Sequence, residues 1–286
     1  MQIVSSIAEL RSIIQNWRQS KQTLAFVPTM GNLHSGHLEL VNEARKRADK
    51  VVVSIFVNPT QFGPNEDFVT YPRTEQQDVE RLTSVAAADL LFLPTIETMY
   101  PESSQTRISV AGLSTLHCGS HRPGHFDGVA LVVCKLLNIV QPDCLLLGEK
   151  DFQQLAVIRQ MVTDLNMPLE VIGIPTVREA DGLAMSSRNV YLSAQERQIA
   201  PMLYQCLCLT RDAIKVSQAI GQNVLDEQAA RLQQLGFAVD YFHLCRRDNL
   251  LPAGPLDKEL ILLAAVRLGK TRLIDNIYFD RALEDR

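Results

Sequence analysis

Long apolar runs are missing from this 286-residue sequence. No stretch is long enough to cross a bilayer as a helix, so no membrane partner is expected. Residues 1–20 set Glu9, Arg11 and Arg18 among Ile7, Leu10, Ile13, Ile14 and Trp17. That spacing predicts an amphipathic helix and lacks the unbroken apolar core of a signal peptide. An excess of positive charge is also missing. With 28 Lys and Arg against 32 Asp and Glu, the net charge is −4, which supplies no overall pull toward nucleic acid, and none is expected as a partner. The six cysteines, Cys118, Cys134, Cys144, Cys206, Cys208 and Cys245, contain no CxxC pair. Most lie in apolar surroundings, which predicts buried free thiols and a reducing, cytoplasmic setting. The GxGxxG fingerprint of dinucleotide enzymes and the GxSxG elbow of serine hydrolases are both absent, which weakens those two readings. There are no repeats and no low-complexity tract.

What is present is one organising stretch, Pro28-Thr29-Met30-Gly31-Asn32-Leu33-His34-Ser35-Gly36-His37-Leu38-Glu39. It lies between an apolar run at 24–27 and a helical pattern from about residue 38. Strand, glycine-bearing turn and helix in that order build a phosphate site, because the N–H groups of a helix's first turn face an anion. Gly31 and Gly36 let backbone approach a ligand closely. His34 and His37 bracket the helix start, with Ser35 the candidate N-cap. Zinc is the other sharp reading of two histidines, but no cysteine or third histidine lies near in sequence.

Strand and helix patterns alternate along the first part of the chain. Strands are predicted at 23–27, 51–57, 89–93, 144–147 and 169–174, and helices at 35–48, 78–87, 128–140 and 151–165. The β-branched run Val51-Val52-Val53 reads as a strand buried on both faces, hence parallel. The alternation predicts an α/β fold, a Rossmann-like open parallel sheet over residues 1–176, with ligands at the carboxyl ends of its strands. After Pro175 the character changes. Ser193-Ala194-Gln195-Glu196 is a capping-box pattern opening a helix to about residue 216. A second helix near 225–235 ends at Gly236. Strands at 239–244, 260–266 and 272–277 follow, the last two joined by a tight turn at 268–271. Residues 177–286 therefore read as a smaller C-terminal α+β domain.

Several polar groups sit at predicted strand ends. Asn58-Pro59-Thr60-Gln61-Phe62-Gly63 follows the strand at 51–57, and the Gln61 amide suits a hydroxyl and a carboxylate of a small substrate. Gly148-Glu149-Lys150-Asp151-Phe152-Gln153-Gln154 follows the strand at 144–147, with Lys150 suited to phosphate, Asp151 to a ribose, and Gln154 one turn into the next helix. Met185-Ser186-Ser187-Arg188-Asn189 places two hydroxyls beside a guanidinium, which suits a clamp on a triphosphate. Arg122-Pro123-Gly124-His125-Phe126-Asp127-Gly128 reads equally as an anion contact, a lid or a surface loop.

In this order, these segments resemble the pantothenate synthetase (pantoate–β-alanine ligase, AMP-forming) family. Residues 28–37 match its HxGH nucleotide signature, shared with class I aminoacyl-tRNA synthetases and related nucleotidyltransferases. The segments 58–62, 71–74, 122–128, 148–154, 185–189 and Leu273-Ile274-Asp275-Asn276 match further family motifs, so the resemblance covers essentially the whole chain. It implies ATP, pantoate and β-alanine as substrates, a pantoyl-adenylate intermediate, Mg2+ with the ATP, a C-terminal domain that covers the active site, and a homodimer. It implies ATP contacts from Met30, Gly31, Asn32, Leu33, His34, Ser35, Gly36, His37, Gly148, Glu149, Lys150, Asp151, Val177, Met185, Ser186, Ser187 and Arg188. Of these, His34, His37, Lys150, Ser186, Ser187 and Arg188 would be catalytic. Gln61 and Gln154 would bind pantoate, and Gln61 also β-alanine. Two positions depart from the pattern. Gln77 stands where an acidic residue commonly accompanies Asp78, the candidate metal ligand, and Ser35 stands where an acidic residue often separates the histidines. The competing expectations are another HxGH adenylyltransferase with a different small acceptor, and a non-catalytic nucleotide-binding module. A tRNA-charging enzyme is disfavoured by the acidic charge and the missing anticodon-binding extension.

Overall fold

The apolar runs of the first part become strands of one sheet in the structure, a computed structural model that describes residues 1–281 except 65, 86, 103 and 218–220. They belong to a first unit made of Met1–Thr115, Arg122–Glu149 and Gln154–Pro175. Its strands are β1 (Gln2–Val4), β2 (Leu24–Thr29), β3 (Lys50–Ile55), β4 (Leu90–Phe92), β5 (Cys144–Gly148) and β6 (Glu170–Ile174). All pair in parallel, in the order β1-β4-β3-β2-β5-β6. Helices α1 (Ile7–Gln19), α2 (Ser35–Arg45), α3 (Glu75–Val85) and the short α4 (Ile96–Met99) alternate with the first four strands. The short α5 (Cys118–His121) follows, then α6 (His125–Val140) and α7 (Phe152–Asp164). Leu24 to Val27, Val51 to Val53 and Leu145 with Leu146 are buried. Strands covered on both faces have no polar side to present, which is why their sequences do not alternate.

The strand order reverses between β2 and β5, where Ala25 pairs with Cys144 and Phe26 with Leu145. The chain leaves β2 to one side of the sheet and reaches β5 from the other, so the carboxyl ends of these two strands flank a crevice. The predicted organising stretch leaves β2 at that point.

β1 escaped the sequence reading. It is a three-residue edge strand with exposed and half-exposed side chains, so no apolar period marks it; its backbone pairing with β4 alone makes it a strand.

The second unit gathers Leu116–His121, Lys150–Gln153 and the chain from Thr176 onward. Here β7 (Ala238–Arg246), β8 (Glu259–Leu268) and β9 (Thr271–Asp280) form an antiparallel sheet in that order. The turn from β8 to β9 is tight, with Gly269 at φ +56. Leu203, Cys206, Leu207 and Ile214 of the helical segment share a core with Leu260, Leu262, Ala264 and Val266 of β8. The single helix expected from residue 193 is two, α8 (Ala194–Ile199) and α9 (Met202–Ser217), because Pro201 lacks the N–H a continuous helix needs. α10 (Gln222–Gln234) ends before Gly236 at φ +94.

Candidate active site

The loop after β2 is shaped by one carboxylate. Gly31 (φ +82) and Asn32 (φ +48) turn the backbone left-handed, so successive N–H groups converge. They converge on Asp78 of α3: Asn32 N–H donates to Oδ2 at 2.9 Å and Leu33 N–H to Oδ1 at 2.7 Å. Thr74 Oγ1 donates to the same carboxylate at 3.1 Å, and Asp78 is fully buried. Arg81, one turn further along α3, donates to the Leu33 carbonyl. A Cβ at Gly31 would lie 3.0 Å from Ile55 and 3.2 Å from Asp78, so position 31 needs glycine for both space and conformation. The backbone N–H groups of Asn32 and Leu33 thus point into the protein, and the donors that would meet an anion are those at the helix start.

That start differs by one residue from expectation. His34, extended at φ −132 and ψ 176, is the N-cap of α2, and Ser35 is its first helical residue. His34 N–H donates to His37 Nδ1 at 3.3 Å, the backward half of a capping box made with an imidazole in place of a carboxylate. The two rings lie 4.1 Å apart between centroids. With Nδ1 accepting, a neutral His37 carries its proton on Nε2.

Gln61 closes a short helical turn, Pro59–Gln61, after β3. The residue is 8% exposed and its amide is oriented by neighbours. Oε1 accepts from Asn58 Nδ2 at 3.0 Å, while Nε2 faces the Met30 sulfur at 3.1 Å. Asn58 is itself oriented, donating to the Gly128 carbonyl at 3.1 Å and accepting from the Tyr100 hydroxyl at 2.9 Å. A thioether is a weak acceptor, so the Gln61 N–H groups favour a stronger one. The structure therefore brings Gln61 to Met30, at the head of the histidine loop. It also brings the loop before α6 to Gln61. His125 Nδ1 is 2.7 Å from the Gln61 carbonyl and its Nε2 is 2.9 Å from Arg122 Nη1. Arg122 is paired with Glu66 through Nε at 2.6 Å and through Nη2. Burial pushes the Glu66 carboxyl upward, but the Arg122 guanidinium outweighs it and holds the carboxyl below its ordinary value.

Gly148 ends β5 and Glu149 follows it in the first unit. Gln154 lies in the first turn of α7, half-buried.

The second unit holds the other expected residues. Val177 accepts from Met185 N–H at 3.0 Å, and Arg178 bridges Ala184, so 177–185 is a small hairpin that leads from Met185 into Arg188. Its turn is pinned by Arg197, which pairs with Glu179 at 2.5 Å and Asp181 at 2.6 Å. Ser186 caps a short helical turn, Ser187–Tyr191, by accepting from Arg188 N–H at 3.2 Å. Ser187 is 9% exposed. Lys150 Nζ lies 3.7 Å from Asp151, and Asn276 donates to the Lys150 carbonyl at 3.0 Å. Beside Asn276, Asp275 is buried and grips Arg178 by two bonds of 2.6 and 2.9 Å. Burial pushes the Asp275 carboxyl up, and Arg178 opposes the shift. Residues 275 and 276 thus hold both the Lys150 segment and the start of the hairpin.

A family model for pantoate-beta-alanine ligase matches residues 2–278. The chain belongs to that family. It is 51% identical over 279 residues to the pantothenate synthetase of Methylococcus capsulatus, covering 97% of each chain. It is 53% identical over 277 residues to that of Shewanella oneidensis, covering 96% of this chain and 98% of the relative. Among solved structures, the pantothenate synthetase of Thermus thermophilus superposes with a TM-score of 0.91 at 46% identity, over 97% of this chain and 99% of that one. The pantoate-beta-alanine ligase of Francisella tularensis, complexed with beta-gamma ATP and beta-alanine, gives 0.81 at 37% identity, over 97% of both chains.

In a ligase of this family, Asp78 does not suit the metal role considered for it. Both its oxygens are committed to loop donors and it has no exposed surface. Among the described residues, no three His, Cys, Asp or Glu side chains gather where an ion could sit. Arg122, His125, Glu66, Asn58 and Tyr100 were missed as supports of Gln61. Arg122 and His125 lie in the motif 122–128 and Asn58 in 58–63, but nothing local ties the first motif to residue 61, and Glu66 and Tyr100 carry no signal in the sequence.

Proposed function

We infer that this enzyme joins pantoate to β-alanine at the expense of ATP, through a pantoyl adenylate, releasing pyrophosphate and then AMP. Family membership over residues 2–278 carries the reading, and the geometry suits it. Adenylation is an in-line displacement that asks for charge stabilisation at the α-phosphate and a held leaving group more than for a covalent nucleophile. The first turn of α2, with His34 and His37 over it, supplies the first, and His37 is the proton donor. Lys150, Ser186, Ser187 and Arg188 would hold the β- and γ-phosphates, and Gly148, Glu149, Asp151, Val177 and Met185 the rest of the nucleotide. Gln61 and Gln154 bind pantoate, with β-alanine beside Gln61. The orientation of the Gln61 amide, with Nε2 on a weak sulfur acceptor, supports a substrate oxygen there. The divalent ion that ATP-using ligases generally need is Mg2+ carried by the phosphate oxygens and water, as a partner of the substrate.

No helix among the described residues is long and apolar enough to cross a membrane, and all six cysteines are free. The free thiols support a cytoplasmic enzyme. We also propose a homodimer. The deciding experiment is pyrophosphate exchange into ATP. Exchange that depends on pantoate, with AMP release that further requires β-alanine, is the expected result. Exchange driven by another acid, or none at all, overturns the reading in favour of a different adenylyltransferase or a binding module.

A further inference from the structure

Gln61 is held from behind by a chain of three side chains, and their partners determine their protonation. The Gln61 carbonyl can only accept, so His125 Nδ1, 2.7 Å away, must carry a proton. Arg122 Nη1 can only donate, so His125 Nε2, 2.9 Å away, must be an acceptor. His125 is therefore the neutral Nδ1–H tautomer, wedged between a carbonyl and a guanidinium. The guanidinium also reaches the Gln61 carbonyl, at 3.4 Å, and is anchored on the half-buried Glu66. Behind them α6 comes so close that a Cβ at Gly128 would lie 2.3 Å from the Thr60 carbonyl oxygen. The main chain at 60–61 is gripped on one side by helix and on the other by two cationic or N–H donors.

We propose that Glu66, Arg122 and His125 form a brace that sets the place of Gln61 and so tunes the enzyme for pantoate; this rests on Gln61 being the pantoate contact. A glutamine in a loose turn loses conformational entropy each time it orders around substrate, whereas a braced one does not. The charge of Arg122 is already answered by Glu66, so the guanidinium acts here as a positioning group and not as an anion site. All three residues act through Gln61 and touch no reacting atom.

The test is pantoate-dependent pyrophosphate exchange, which needs no β-alanine. It compares wild type, Gln61→Ala, His125→Phe, His125→Asn and Glu66→Gln, with folding checked by thermal melting. The brace predicts that His125→Phe raises the pantoate KM about tenfold while the ATP KM stays within about twofold. His125→Asn, whose amide N–H can replace Nδ1–H toward the carbonyl, should recover most of that loss. Glu66→Gln should raise the pantoate KM about threefold, since it leaves Arg122 without its counter-charge. The double variant Gln61→Ala with His125→Phe should be no worse than Gln61→Ala alone, because groups that act as a unit are not additive. A pantoate KM raised by Gln61→Ala but untouched in the His125 and Glu66 variants overturns the brace while leaving the substrate assignment standing. A wild-type pantoate KM in Gln61→Ala overturns the assignment itself. Equal losses for ATP and pantoate in His125→Phe reduce the three residues to general structural support and also overturn the proposal.

Discussion

His37 and Asp78 show how differently two polar residues of one site can be spent. The His37 ring is turned by its own helix: Nδ1 accepts from the His34 N–H, which puts the proton of the neutral ring on Nε2. Removing one charge-stabilising contact at a transition state costs on the order of 3 kcal/mol, about a hundredfold in rate. His37→Ala is expected to lose that much in single-turnover adenylation while keeping its fold; a near-normal rate in the folded variant would overturn the role. Asp78 is spent on the loop backbone. Asp78→Asn would turn an acceptor pair into one acceptor and one donor, setting an NH2 group against a backbone N–H. About 1–3 kcal/mol of stability should be lost, read as a shift in the denaturant midpoint. The Mg2+ concentration for half-maximal activity should not move, and a large rise in it would return Asp78 to the metal.

Among the elements, the contact between α6 and the turn Pro59–Gln61 is the most demanding. Its closeness is possible only because residue 128 has no side chain, and it brings the Gly128 carbonyl within 3.1 Å of Asn58 Nδ2. Gly128→Ala improves helix propensity in isolation, yet here the added methyl must push helix and turn apart. Overpacking of this kind costs about 1–3 kcal/mol. The variant should melt lower and bind pantoate more weakly, with ATP affinity retained. A melting temperature at or above wild type would show that α6 yields without cost. The hairpin 177–185 is built on other terms. Arg197, Arg178 and Asp275 hold it through charge.

For the molecule as a whole, pH enters through imidazoles other than those of the HxGH loop. His117 Nε2 must donate to the Leu250 carbonyl at 2.7 Å, so its Nδ1 accepts from His243 Nδ1–H at 3.0 Å. In this arrangement His117 is the neutral Nε2–H tautomer. Burial holds His117 below the ordinary histidine value, and burial, then His117 and His121, hold His243 below it. The unfolded chain, with histidines at about 6.5, takes up protons first as pH falls. The folded state then binds fewer protons than the unfolded one, so stability is full above that value and is lost as pH drops below it toward the depressed folded values. The unfolding midpoint should fall between about pH 7 and 5.5, before most carboxylates titrate, and His243→Gln should flatten that dependence. An unchanged slope in the variant would place the effect elsewhere.

The order of strands and helices, the double burial of β3, the histidine pair at a helix start and the change of character after Pro175 are all legible without coordinates. Each is encoded by residues a few positions apart, as apolar period, capping pattern or glycine turn. The sequence by itself therefore determined the fold class and the motif expected to face the nucleotide. It placed the N-cap at Ser35 instead of His34, because a hydroxyl is the commoner cap and the imidazole bond between 34 and 37 needs the helix already formed. Tertiary structure alone decided what α3 does for the loop after β2. Asp78 lies 45 and 46 residues from the N–H groups it accepts. It alone decided that His125 and Arg122 meet a carbonyl 64 and 61 residues away. It also assigned Leu116–His121 and Lys150–Gln153 to the second unit. A carboxylate or guanidinium carries no mark of its partner along the chain; topology brings a donor to the one and an acceptor to the other, and burial then makes the pairing compulsory.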